Sequence, residues 1–145
     1  EFGSVRKIKQ YKGGPVFGVP LEEVLSRTDE HFDVPAPIEE SIAFLEKEGV
    51  KTEGIFRIPG SVEVMCDFKD FFDGKRDMPP KSTWVDHNIA GLLKLYLREL
   101  PEPLLTYQYY ATFVYVQKNK DHEYRLKHMR NLLHAIPQGN RTLLV

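Results

Sequence analysis

The chain has 145 residues, 41% of them hydrophobic and 28% charged, with 20 Lys and Arg against 21 Asp and Glu for a formal net charge of −1. That length and apolar content suit one soluble domain with a single core. The two charge signs are interspersed, which excludes a global field that would steer nucleic acid or a membrane surface. Cys66 is the one cysteine, so an intramolecular disulfide and a cysteine-rich zinc site are excluded; it reads as a small buried hydrophobe rather than a nucleophile. No apolar stretch reaches membrane-spanning length, and no signal peptide is visible.

In chain order, "EFGS" at residues 1–4 reads as a cloning scar, and the basic, Gly-interrupted "VRKIKQYKGGP" at 5–15 as a linker. The first expected helix is "APIEESIAFLEKEG". It places Ile38, Ile42 and Leu45 on one face, with Pro37 in its first turn and Gly49 at its exit. "TEGIFRIPGS" at 52–61 follows. Ile55, Phe56 and Ile58 read as core, Pro59 and Gly60 as a turn and Ser61 as a helix cap. Arg57, an always-charged fork of five donors, has no obvious place in that company. "SVEVMCDFKDFFDG" is then a helix that puts Val64, Phe68, Phe71 and Phe72 at helical spacing and stops at Gly74.

"MPPKSTW" is a Pro-broken connector. The clearest helix comes next: Asp86 is its expected cap, Ile89, Leu92, Leu93, Tyr96, Leu97 and Leu100 form an apolar stripe, and Pro101 and Pro103 end it. In "TYQYYATFVYVQKN" the valines and aromatics also suit a strand. Thr106 as cap and the Phe113/Val114 pair select a helix. "DHEYRLKHMRNLLHAI" is a full helix capped by Asp121 and closed by Pro137, and "GNRTLLV" starts another with Asn140 as cap. The fold class is therefore all-α.

Little of this carries chemistry alone. His31, His87, His122, His128 and His134 show no metal-ligand spacing. No Gly-rich phosphate loop with its lysine and no GxSxG motif is present, so no nucleotide or nucleophile site is expected in the chain itself. Glu22/Glu23 and Glu39/Glu40 are neighbours on polar faces, and adjacent helical residues do not face each other. What remains is Arg57 and a basic pair, Lys94 and Arg98, which are four apart and stack on one helix face nearly opposite the apolar stripe. Taken singly, each of these also suits a solvated surface charge.

In combination they are more specific. "FGVPL" at 17–21, "TEGIFRIPGS", "HNIAGLLKLYLRELPEPLLT" and "IPQGNRTLL" at 136–144 occur in order. This arrangement resembles the RhoGAP domain, the GTPase-activating module for Rho-family small GTPases. The resemblance divides the chain into a scar and linker at 1–16 and a RhoGAP domain at 17–145, and implies a RhoGAP-like helical bundle. It implies that Arg57 is an arginine finger inserted in trans into the active site of a GTP-bound Rho-, Rac- or Cdc42-type partner. GTP hydrolysis builds negative charge between the β- and γ-phosphates, and a guanidinium that neutralises it is worth about 10³–10⁵ in rate. The resemblance further implies that Lys94 and Arg98 brace the finger loop and contact the partner. The chain would be an activator rather than an enzyme, without a cofactor of its own, since GTP and Mg²⁺ belong to the partner. A cytoplasmic location, with recruitment to membranes through the partner, goes with that reading.

One departure bears on activity. RhoGAP domains continue past the position of Val145 into further core helices and a segment whose asparagine helps form the partner-facing site. The expectation is thus a domain incomplete at its C-terminus, either self-associated or markedly less stable than an extended chain, and weak or absent in stimulation. A non-catalytic GTPase-binding module and an inactive fragment are the alternatives.

Overall fold

The computed structural model describes residues 14–27 and 34–145. Residues 1–4, expected to be a scar, most of the lead-in expected at 5–15 and His31 lie outside the described residues. Seven α-helices appear among them: α1 (Leu21–Ser26), α2 (Ala36–Phe44), α3 (Val62–Phe72), α4 (Asp86–Glu99), α5 (Tyr110–Gln117), α6 (His122–Ala135) and α7 (Gln138–Leu144). No strand occurs among the described residues, so the all-α expectation holds. A π-helical turn over Leu45–Gly49 extends α2, and a 3₁₀ turn over Lys81–Thr83 precedes α4.

Local chemistry accounts for most of the starts and stops. Pro35 takes the extended conformation ahead of α2 and Pro37 falls in the first turn, where a missing N–H costs nothing. The Ser61 hydroxyl accepts from the Val64 N–H at the start of α3, and the Asp121 carboxylate accepts from Glu123 and Tyr124 at the start of α6, both as expected. Three other expected caps are corrected. Asp86 is the first residue inside α4, which begins after Val85 with no side-chain cap. Thr106 does not cap α5, which starts four residues later. It sits buried at φ 62, a costly region for a β-branched residue, and donates its N–H to Pro103 at 2.8 Å in a preceding turn. Asn140 lies within α7, and its Nδ2 donates to the Leu104 carbonyl at 3.0 Å. Helix α1 begins directly after Pro20 and has no counterpart among the helices expected from the sequence.

The core forms where α2, α3 and α4 meet. Ile38 and Leu45 come from the α2 side, Phe68, Phe71 and Phe72 from α3, and Ile89, Leu92 and Tyr96 from α4. Rings interlock edge-on, Phe68 against Trp84 at 5.1 Å and Phe17 against Tyr96 at 5.3 Å, the geometry favoured by aromatic quadrupoles. Ile42, expected with Ile38 and Leu45, is instead exposed; Ser41 takes the inward position between them, its hydroxyl bonded to Pro37 O. Cys66, expected to be buried, is exposed. It lies about 200° around α3 from Phe68 at 100° per residue. The half-buried pair Lys69 and Glu99 ties α3 to α4, with Nζ at 2.7 and 2.9 Å from the two carboxylate oxygens. The hydrogen bond to Glu99 raises the Lys69 ammonium above its ordinary 10.5. Its contribution is therefore intact below that value and fails only as pH climbs past it.

Helix α6 packs on both α5 and α7, and α7 returns to α1. No α6 side chain is buried, and Leu126 is exposed, while Ile136 just past the helix is buried.

The segment before α1 is part of the domain. Val16, the last residue of the linker expected at 1–16 from the resemblance, and Phe17 are both buried. Their N–H groups donate to Oδ1 of the buried Asp73 at 2.7 and 3.0 Å. Asp73→Ala is expected to cost about 2 kcal/mol, because two main-chain donors lose a charged acceptor. Urea unfolding measures it. A change under about 0.5 kcal/mol, the range of an ordinary surface substitution, would mean that the carboxylate does not hold the segment.

Candidate functional site

Residues 50–61 link the π-turn to α3 along the side of α4. Gly54 takes φ 70, a region that favours glycine. The N–H groups of Arg57 and Ile58 both donate to the Gly54 carbonyl at 2.8 Å, which closes a tight turn. The Ile58 side chain lies back over Gly54, and Arg57 at the turn's end is exposed.

The expectation that this stretch is core is corrected for two of its three apolar residues. Ile55 packs against the core. Phe56 is 53% exposed and Ile58 43% exposed. Closing the turn on Gly54 carries both outward, so Ile55 alone provides the apolar anchor.

Polar ties replace the missing apolar ones. The Thr52 hydroxyl donates to the Asp86 carboxylate in the first turn of α4. Lys94 Nζ donates to the Phe56 carbonyl at 2.9 Å, one residue before Arg57. The Ser61 N–H donates to Asn88 Oδ1 at 2.8 Å, and Asn88 Nδ2 donates to Thr83 O at 3.0 Å. Gly60 rests directly on α4. A Cβ there would stand 2.6 Å from His87 O and 2.6 Å from Asn88 Oδ1. The loop is thus held at both ends and beside Arg57, and all three ties go to one helix.

Of the residues singled out in the sequence, Arg57 and Lys94 are brought together through the Phe56 carbonyl. Arg98, one turn on, is exposed on the same face of α4, and among the described residues it makes no hydrogen bond or ion pair with the loop. The sequence reading missed Asp86 as a partner of Thr52, Asn88 and the close approach of Gly60. A signal for Asn88 existed: it is a polar residue on the i, i+4 line that continues through Leu92 and Tyr96.

The chemistry open to this site is narrow. A guanidinium neither gives nor takes a proton at neutral pH, so Arg57 can act only by charge and hydrogen bonding. Among the described residues no carboxylate pairs with it. No metal-binding group of His, Cys, Asp or Glu exists among them either. No described helix is long and apolar enough to cross a membrane. The arrangement leaves Arg57 exposed at the end of a tied turn, with the exposed cations Lys94 and Arg98 on α4 and the exposed apolar side chains of Phe56 and Ile58 beside it.

A family model of the RhoGAP domain matches residues 35–145. The chain is 35% identical over 133 residues to "Rho GTPase-activating protein gacY" of Dictyostelium discoideum, across 91% of this chain and 18% of that protein. It is 36% identical over 137 residues to "Rho GTPase-activating protein 24" of Homo sapiens, again across 91% of this chain and 18% of that protein. The chain thus spans under a fifth of the length of these relatives. Its structure superposes on human Rho GTPase activating protein 15 with a TM-score of 0.80 at 29% identity, covering 97% of this chain and 68% of that one. The BH domain from GRAF, the GTPase regulator associated with focal adhesion kinase, gives a TM-score of 0.67 at 29% identity, covering 74% and 59%.

Proposed function

The chain belongs to the RhoGAP domain family, and on that premise we propose that it stimulates GTP hydrolysis by a Rho-family small GTPase, with Arg57 as an arginine finger supplied in trans. The observation that carries this reading is an exposed arginine, free of any carboxylate among the described residues, on a loop tied to α4 at three points. As the bond to the γ-phosphate breaks, charge gathers on the bridging and terminal oxygens. A guanidinium already aimed at that place stabilises the transition state more than the ground state. The docked cation and the exposed Phe56 and Ile58 around it would also displace water, which strengthens each remaining electrostatic contact.

Lys94 has a double role in this proposal. Its ammonium holds the Phe56 carbonyl and so fixes the residue next to the finger. Its exposed charge and that of Arg98 face an acidic partner surface, where they act on encounter and affinity and are screened by salt.

The test is phosphate release from GTP-loaded Rho-, Rac- and Cdc42-type proteins, with the chain titrated against each. A saturable acceleration over the intrinsic rate of at least one of them is expected. Saturable binding of the GTP-bound form without acceleration would leave a binding module, and the activator reading would be abandoned.

A further inference from the structure

We infer that the first turn of α4 is a clamp on the finger loop, with Asn88 and Asp86 as positioning residues that set where Arg57 points. The inference rests on the reading of Arg57 as a finger but concerns residues of α4 behind the loop rather than the finger itself. Asn88 is 6% exposed, so a docking protein has almost nothing of it to touch. Its amide orientation is fixed by its two partners. The Ser61 N–H can only donate and the Thr83 carbonyl can only accept, so Oδ1 faces the loop and Nδ2 faces the connector. One side chain thereby joins three segments: the end of the finger loop, the helix and the turn before it.

The point at which it grips the loop matters. Ser61 also caps α3 through its hydroxyl, so the Asn88 amide fixes the seam where the loop becomes a helix. Two residues earlier in α4, Asp86 accepts from Thr52 at the other end of the loop. Arg57 lies five residues after Thr52 and four before Ser61. Both ends of this ten-residue span are thus anchored within three consecutive positions of one rigid helix. A loop so anchored has lost most of its conformational freedom before any partner arrives, and a misplacement of about 1 Å at a reacting centre can cost about 10²-fold in rate. Losing either anchor should act on the rate of the stimulated step and leave affinity nearly intact, because the exposed contact surface is untouched.

Asn88→Ala is expected to lower the maximal stimulated rate about tenfold or more, with the concentration for half-maximal stimulation within about twofold of the parent. Asn88→Asp keeps an acceptor toward Ser61 at a helix N-terminus that favours negative charge but loses the Nδ2 donor to the Thr83 carbonyl, and should recover part of the rate. Hydrogen exchange on the free chain gives a readout that needs no GTPase: Asn88→Ala should speed exchange across 52–61 while α2 and α3 stay protected. Thr52→Val cuts the other anchor at nearly constant volume, and stands in if Asn88→Ala does not fold. It should show the same loop-specific exchange and loss of maximal rate. Unchanged loop exchange in the folded variant overturns the clamp whatever the activity. So does a parent-like maximal rate in a preparation where Arg57→Ala has lost stimulation. Full stimulation by Arg57→Ala would instead remove the finger reading itself, which the exchange result does not depend on.

Discussion

Arg57→Ala is expected to remove most of the stimulated hydrolysis, on the order of 10³-fold where the parent stimulation is that large, since in-trans arginines contribute about 10³–10⁵. Binding of the GTP-loaded partner should survive. The guanidinium meets most of its charge in the transition state, so its loss falls on rate rather than on the ground-state complex. Arg57→Lys should recover little, because an ammonium is a point charge that cannot donate in a planar fork. The fold should tolerate both changes: the side chain is exposed and, among the described residues, pairs with no carboxylate. Single-turnover phosphate release, run beside a binding titration of the same variants, separates the two effects. Stimulation by Arg57→Ala within a few-fold of the parent would assign the catalysis to another group.

Gly60→Ala is expected to be the most damaging change that adds a single carbon. Its Cβ would lie 2.6 Å from His87 O, 2.6 Å from Asn88 Oδ1 and 2.7 Å from Asn88 Cα. Two of those atoms belong to the backbone of α4 and cannot swing aside. The loop must therefore lift, which pulls Ser61 away from Asn88 and moves the turn that carries Arg57. Overpacking of this kind costs about 1–3 kcal/mol, and the displaced finger should lose about 10²-fold in stimulated rate. A thermal melt lowered by several degrees, together with that loss, is the expected pair of results. A variant that melts and stimulates like the parent would mean that the loop does not need this close approach.

The sequence by itself determined the helical class, the approximate extents of α2, α3, α4 and α6, the caps Ser61 and Asp121, and Arg57 and Lys94 as residues to watch. These features are local: a 3.6-residue apolar period, a hydroxyl or carboxylate two or three residues before the N–H it accepts from, a proline that cannot continue a helix. The tertiary structure decided what the same residue types do when their partners are distant. Asp86 and Asn140 have the chemistry of caps, but each is satisfied across the fold, by Thr52 and by Leu104 O, 34 and 36 residues away. Phe56 and Ile58 have the composition of core, but the turn on Gly54 faces them outward. Ile42 lies on a stripe whose inward edge is fixed by the neighbouring helix rather than by the stripe, and Cys66 lies on the side of α3 away from its buried phenylalanines. The ties that hold the loop around Arg57 to α4 join residues 27 to 38 positions apart. A side chain's hydrogen-bonding capacity is written in its identity, but its partner is fixed only when the chain has packed and no closer group remains to compete.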